Sequence, residues 1–185
     1  MARRALTGVL LVGGASRRFG SPKALIELEG ETLVDRGRRV LAEACDEVLV
    51  VGKAGELPFE VVDDASDTRA PIAGVVAGLR AAAHDVVVFV PVDCPRITAE
   101  LVRALGDACR DAAVPQTGPL PGAWAKSALP LLVERLATGP LALYRAYSDL
   151  DVVEVHVDPQ LVADVDTPAD LAGLPRADRP PHAGS

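Results

Sequence analysis

The chain has 185 residues, 49% of them apolar and 24% charged, with a formal net charge of −7. That length suits one domain with a full hydrophobic core, and the acidic balance argues against a nucleic-acid polymer as partner, because such binders present a basic face. No stretch reaches the ~18 apolar residues of a membrane span, and three cysteines, odd in number and without metal-type spacing, fit reduced thiols in a cytoplasmic protein.

At the amino end, two arginines precede an apolar run, but Thr7 and Gly8 break it and no Ala-x-Ala-like cleavage site follows, so no secretion signal is expected. Short Val- and Leu-rich runs predict strands at Gly8–Val12, Glu47–Val51, Phe59–Val62, Val86–Val90 and Val152–Val157. Four of the five show little polar alternation, as strands of a parallel sheet covered on both faces do. The last alternates and predicts an edge or antiparallel strand with one wet face. Between them, apolar stripes predict helices through Leu33, Val34, Val40, Leu41 and Ala44, through Val75, Val76 and Leu79, through Leu101, Val102 and Leu105, and through Leu129, Leu132, Val133 and Leu136. Thr98 spells the N-cap of the third, with Glu100 in its first turn. The sequence Asp-Thr-Pro-Ala-Asp-Leu spells another helix start, with Thr167 as N-cap, Pro168 at N1 and Asp170 at N3. Strands alternating with helices imply a single-domain, three-layer, Rossmann-like α/β fold: a doubly wound, mostly parallel sheet whose ligands sit outside the carboxyl ends of the strands. The domain is expected over residues 1–173, with 174–185 a disordered tail.

The first strand runs into Leu10–Lys23, a segment with three glycines, Arg17, Arg18 and Lys23. Glycines at a strand's carboxyl end let backbone N–H groups converge on phosphate oxygens, and the cations add charge-assisted hydrogen bonds worth about 1.5–3 kcal/mol each. A plain surface turn is the alternative. The spacing fits neither G-x-x-x-x-G-K-[ST] nor G-x-G-x-x-G, which disfavours a P-loop NTPase and an NAD-type enzyme. Farther on, the strand at Val86–Val90 delivers Asp93 between Pro91 and Pro95, where a carboxylate facing the loop suits a Mg²⁺ that also takes waters and phosphate oxygens. An Asp that caps its own turn reads the same way.

The loop fits L-x-G-G-x-S-x-R-x-G-x-x-K at Leu11, Gly13, Gly14, Ser16, Arg18, Gly20 and Lys23. This resembles the signature of the molybdenum-cofactor guanylyltransferase family of small nucleotidyltransferases. The resemblance extends to P-x-D-x-P at Pro91, Asp93 and Pro95. It also extends to an acid followed by P-[LI]-A-G at Asp67, Pro71, Ile72, Ala73 and Gly74, where Ala70 replaces a usual glycine and Ile72 a usual leucine. A fourth match places Asp164 and Asp166 at the polar positions of N-x-N-T-P-x-D-L or its Asp variant. The resemblance implies a nucleotide-diphospho-sugar transferase type of fold and transfer of GMP from GTP to molybdopterin, with pyrophosphate released. By that resemblance Leu11, Val12, Gly13, Gly14, Ser16, Arg17, Lys23, Asp67, Pro71, Ala73, Gly74 and Asp93 hold the nucleotide. Lys23, Asp93 and Arg18 serve the transfer, and Asp93, with Asp164 as a candidate second ligand, holds Mg²⁺. For Asp166 helix capping is the preferred role. The stretch Pro119–Leu132 is expected near the acceptor, with Trp124, the single tryptophan, either in the core or stacked on a flat ring. Cys94 is expected to pack, and His84, His156 and His182 have no assigned role. Molybdoenzymes or their chaperones are expected partners, and no membrane or nucleic acid is. Cytidylyl transfer, transfer to another small phosphorylated acceptor, and nucleotide binding without turnover as a sensor or cofactor chaperone stay open.

Overall fold

The computed structural model describes residues 3–13, 22–53, 57–66 and 70–173; the expected tail lies outside them. The elements run β1 (Leu6–Leu11), β2 (Glu27–Leu28), β3 (Glu31–Thr32), α1 (Leu33–Ala44), β4 (Glu47–Gly52), β5 (Val62–Asp63), α2 (Pro71–Ala81), β6 (Val86–Pro91), α3 (Ala99–Ala108), β7 (Ala112–Pro115), β8 (Gly122–Ala125), α4 (Leu129–Thr138), β9 (Val152–Val155) and α5 (Pro168–Gly173). Among the described residues, seven strands form one sheet in the order β5-β4-β1-β6-β8-β7-β9, and β2 and β3 make a separate hairpin. The strands β5, β4, β1 and β6 are mutually parallel, so their carboxyl ends open on one edge of the sheet. Within that sheet, among the described residues, only β8 runs antiparallel to its neighbours.

Alternation along the central strands builds two cores. Leu6 and Leu10 of β1 and Val86, Val88 and Val90 of β6 face α1 and α3. Val9, Val87 and Phe89 face the other way, onto α2 and Leu132 of α4. This is the three-layer doubly wound sheet, and each fully buried Leu or Phe contributes about 1.5–3 kcal/mol. Two glycines let helices sit close to it. A Cβ at Gly37 of α1 would lie 2.5 Å from Leu10 Cδ1, and one at Gly78 of α2 would lie 2.5 Å from Phe89 Cε1. Both expected caps form: Thr98 Oγ1 accepts from Leu101 N at 3.2 Å and Thr167 Oγ1 from Asp170 N at 3.2 Å.

Two expectations change and one holds. The strand expected at Phe59–Val62 begins only at Val62, because β4 offers pairing to Val62 and Asp63 alone, and Phe59 packs on the α1 side instead. The strand at Val152 lies at the sheet's edge, one of the two alternatives expected for it, and pairs parallel to β7. Two strands, β7 and β8, occupy stretches with no strand expected. Trp124 on β8 is fully buried against Tyr147, with ring centroids 6.3 Å apart, so it belongs to the core and offers no platform to a substrate.

Candidate active site

Three charged side chains meet where β1 and β6 end. Pro22 leads into a 3₁₀ turn at Lys23–Leu25, anchored by buried Ala24 and continued to α1 by the Leu33 N–Ile26 O bond. The turn aims the Lys23 ammonium at Asp93 Oδ2, 3.1 Å away, and Asp166 Oδ1, 2.9 Å away. Asp93 follows β6 in a tight turn closed by the Cys94 N–Pro91 O bond. Its own carbonyl accepts from Val165 N at 2.9 Å, and that bond brings the segment before α5 alongside. Asp166 is then fixed by α5: Asp170 Oδ2 accepts from the N–H groups of Asp166 (3.0 Å) and Thr167 (2.7 Å), completing a capping box. These bonds, first the one with the Thr167 side chain, hold the Asp170 carboxyl below its ordinary range. Burial alone would lower the Lys23 pKa, but the hydrogen bond to Asp166 and the charge of Asp93 outweigh it, so the ammonium is held above its usual value of 10.5.

These groups form one end of a cavity of about 490 Å³, a size suited to a small-molecule substrate. Its floor is Leu11, Val12 and Gly13 after β1, and Pro91 and Val92 after β6. Its other wall comes from β4, β5 and the start of α2: Val51, Gly52, Lys53, Asp64, Ala70, Pro71 and Gly74. Lys53 donates to Asp64 Oδ1 and to the Ser66 carbonyl, and the two side chains are only 24% and 12% exposed. The N-terminus of α2 enters with Pro71 at N1, no side-chain cap and no acidic residue in its first turn. Among the described residues a Cβ at Gly13 would meet nothing within 4 Å, so none of them requires glycine there.

A second cavity of about 310 Å³ adjoins the first, sharing Pro91, Asp93 and Leu120 and adding Cys94, Thr117, Pro159, Val162, Ala163 and Asp164. Asp93 therefore stands between two chambers. Burial, with Asp93 and Asp164 nearby, pushes the Cys94 thiol well up, and its sulfur sits 3.6 Å from the Val162 carbonyl; it is a packed, protonated thiol.

Of the residues singled out in the sequence, Leu11, Val12, Gly13, Lys23, Pro71, Gly74 and Asp93 line the first cavity, while Asp164 lines the second. Ala73 is 1% exposed and packs in the core rather than lining the cavity. Gly14, Ser16, Arg17, Arg18, Gly20 and Asp67 lie outside the described residues. Asp166 corrects the capping preference: its backbone N–H joins the cap, while its carboxylate pairs with Lys23. Sequence reading missed Lys53 and Asp64, while Leu120 belongs to the Pro119–Leu132 stretch expected near the acceptor and lines both cavities. Asp64 comes directly after β5, the same kind of strand-end position that drew attention to Asp93, and that was the available signal. Among the described residues no three or more His, Cys, Asp or Glu gather into a metal-binding group. Asp93 and Asp166, brought together at Lys23, are two oxygen donors of the kind a Mg²⁺ takes alongside substrate oxygens and water. No helix of the described residues is long and apolar enough to cross a membrane.

Known proteins resemble this chain in sequence and in fold. A family model described as "MobA-like NTP transferase domain" covers residues 8–153. A "Probable molybdenum cofactor guanylyltransferase" of Deinococcus radiodurans is 35% identical over 181 residues, covering 91% of this chain and 93% of its own. A "Molybdenum cofactor guanylyltransferase" of Desulfosudis oleivorans is 28% identical, covering 86% and 88%. Among solved structures, molybdopterin-guanine dinucleotide biosynthesis protein A of Archaeoglobus fulgidus is similar in fold, with a TM-score of 0.74 over 90% of this chain and 95% of that one at 24% identity. A seven-stranded doubly wound sheet, a cavity at the carboxyl ends of its parallel strands and a lysine–aspartate centre are thus accompanied by relatives along nearly the full length, and the chain belongs to the MobA-like NTP transferase domain family.

Proposed function

We propose that the protein transfers GMP from GTP to the phosphate of molybdopterin, forming a guanine dinucleotide cofactor and pyrophosphate. The observation that carries this reading is Lys23 held between Asp93 and Asp166 in a cavity whose lining also includes Asp64. Asp93 follows β6 and Asp64 follows β5, with β1 and β4 between them, so at about 4.8 Å per strand the two strand ends are roughly 14 Å apart, the order of the span of a purine nucleotide from base edge to phosphates. The triphosphate lies at the Lys23 end, over Gly13. The base lies against Leu11, Val51 and Pro71, with the Asp64 carboxylate accepting from guanine N1–H and N2–H₂. Arg17, Arg18, Gly14 and Ser16 belong by motif to the phosphate end.

In the reaction an oxygen of the acceptor phosphate attacks the α-phosphorus, the bond to the bridging oxygen of the β-phosphate breaks, and the electron pair leaves with pyrophosphate. The attacking phosphate is already anionic, so no general base is required. Catalysis is alignment and charge neutralisation. Lys23, preset by its two carboxylates and protonated at neutral pH, turns to the developing negative charge when the polyphosphate enters. Asp93, joined by Asp166, would hold Mg²⁺, which when bound supplies Lewis-acid polarisation of the phosphate oxygens. The second chamber, across Asp93, receives the acceptor, and Leu120 and Thr117 shape its entrance.

The test is pyrophosphate release with molybdopterin and Mg²⁺, run with GTP, CTP and ATP in parallel. Turnover with GTP is expected. Turnover with CTP alone would reassign the reaction to cytidylyl transfer. Tight GTP binding without product from any acceptor would reassign the protein as a nucleotide sensor.

A further inference from the structure

We propose that Lys53 reads the 6-oxo group of the base, so that the Lys53–Asp64 pair, rather than Asp64 alone, sets the preference for a 6-oxopurine triphosphate. The inference rests on the nucleotide reading given above and deepens it. A carboxylate by itself is a permissive reader: it accepts from the N–H groups of guanine, but equally from the exocyclic amine of adenine or cytosine. An ammonium carries donors only. Set beside the carboxylate, it favours a base that offers an acceptor at that edge, as guanine does with O6. It repels one that offers an amine there, as adenine and cytosine do.

The structure supplies what such a reader needs. Lys53 and Asp64 follow adjacent parallel strands, β4 and β5, and both face the cavity. The Asp64 N–Gly52 O bond of 3.1 Å ties the two strand ends together. Lys53 is oriented before any ligand arrives, because one of its three donors goes to Asp64 and another to the Ser66 carbonyl. Ser66 N in turn donates to Asp64 Oδ1 at 3.2 Å, fixing the carboxylate. Val51, Ala70 and Pro71 beside the pair are apolar, which strengthens a hydrogen bond made there.

The experiment is equilibrium binding of GTP, ITP, 2-aminopurine riboside triphosphate and CTP to the full-length wild-type enzyme and to Lys53→Met and Lys53→Arg, with melting temperatures recorded alongside. ITP keeps the 6-oxo group and N1–H and lacks the 2-amine, whereas the 2-aminopurine nucleotide keeps the 2-amine and lacks both the 6-oxo group and N1–H. Lys53→Met is expected to weaken GTP and ITP by about 10- to 150-fold, the range for one charge-assisted hydrogen bond, and to leave the 2-aminopurine nucleotide unchanged. Lys53→Arg is expected to restore most of the GTP affinity. An equal loss for all four nucleotides would overturn the proposal, because Lys53 would then act as a charge and not as a reader. Wild-type enzyme that prefers GTP, together with a Lys53→Met variant that keeps the preference, overturns this inference and leaves the proposed function standing. Wild-type enzyme without any preference for GTP over CTP overturns both.

Discussion

Replacing Lys23 by methionine keeps the stem and removes the ammonium. Its structural cost is small. The Asp166 partner is 58% exposed, and such pairs contribute about 0–1 kcal/mol. The Asp93 partner is 28% exposed, and its attraction is partly offset by desolvation. A loss of about 1 kcal/mol in total lowers the melting temperature by only about 2–4 °C for a chain of this size. The catalytic cost is large, because one preorganised donor aimed at developing charge is worth about 10²–10³ in kcat. Pyrophosphate release under saturating GTP and molybdopterin measures kcat, and differential scanning calorimetry measures the melting temperature. The pH dependence carries a sign as well. The Lys23 pKa is raised in the folded protein, so its contribution to stability is present in full below pH 10.5 and is lost as the pH rises through the folded value. The wild-type rate should therefore show no alkaline limb from Lys23 in the neutral range. An unchanged kcat in Lys23→Met, or a rate loss matched by global unfolding, would refute the reasoning.

Other outcomes follow from single contacts. Gly13→Ala adds a Cβ that meets no atom of the described residues, so the melting temperature should stay put while GTP binding measured by calorimetry weakens; unchanged GTP affinity would mean that no ligand approaches the backbone there. Asp170→Ala removes the bonds that fix Asp166, and it should lower kcat without changing KM for GTP, with Asp170→Glu recovering part of the rate. Gly78→Ala drives a methyl to 2.5 Å from Phe89 and 3.2 Å from Val9, so chemical denaturation should show a loss of about 1–3 kcal/mol. Burial raises the thiols of Cys45 to about 12 and of Cys109 to about 11, and pushes Cys94 up as well. Native protein at pH 8 should therefore resist alkylation at all three, while unfolded protein reacts at three sites, as a mass shift would record.

The parts of the fold that sequence revealed are those where local pattern and tertiary role agree. The runs of β1, β4 and β6 are apolar along their length because helices cover both faces, and Thr98 and Thr167 spell their caps chemically. The strands β7 (Ala-Ala-Val-Pro) and β8 (Gly-Ala-Trp-Ala) were not legible, since four alanine-rich residues carry little strand preference. Their conformation comes from pairing between β6 and β9. The same limit applies to the site. Asp93 was legible because a buried strand points at it between two prolines. Asp64 was not, because the resemblance pointed to Asp67, which lies outside the described residues, while Asp64 reaches the cavity from the end of the two-residue β5. Asp166 was read as a cap because Asp-Thr-Pro spells one. Its backbone does that, and its carboxylate does something else.

The central claim is that a nucleotide spans the cavity with its phosphates at Lys23 and Asp93 and its base at Asp64. A crystal structure of the enzyme with Mg²⁺ and a non-hydrolysable GTP analogue tests it most directly. The account predicts α-phosphate oxygens facing the Lys23 ammonium, the cation on the Asp93 carboxylate, and the guanine edge hydrogen-bonded to Asp64. A nucleotide bound in the reverse sense, or outside the cavity between β1, β4 and β6, would contradict it.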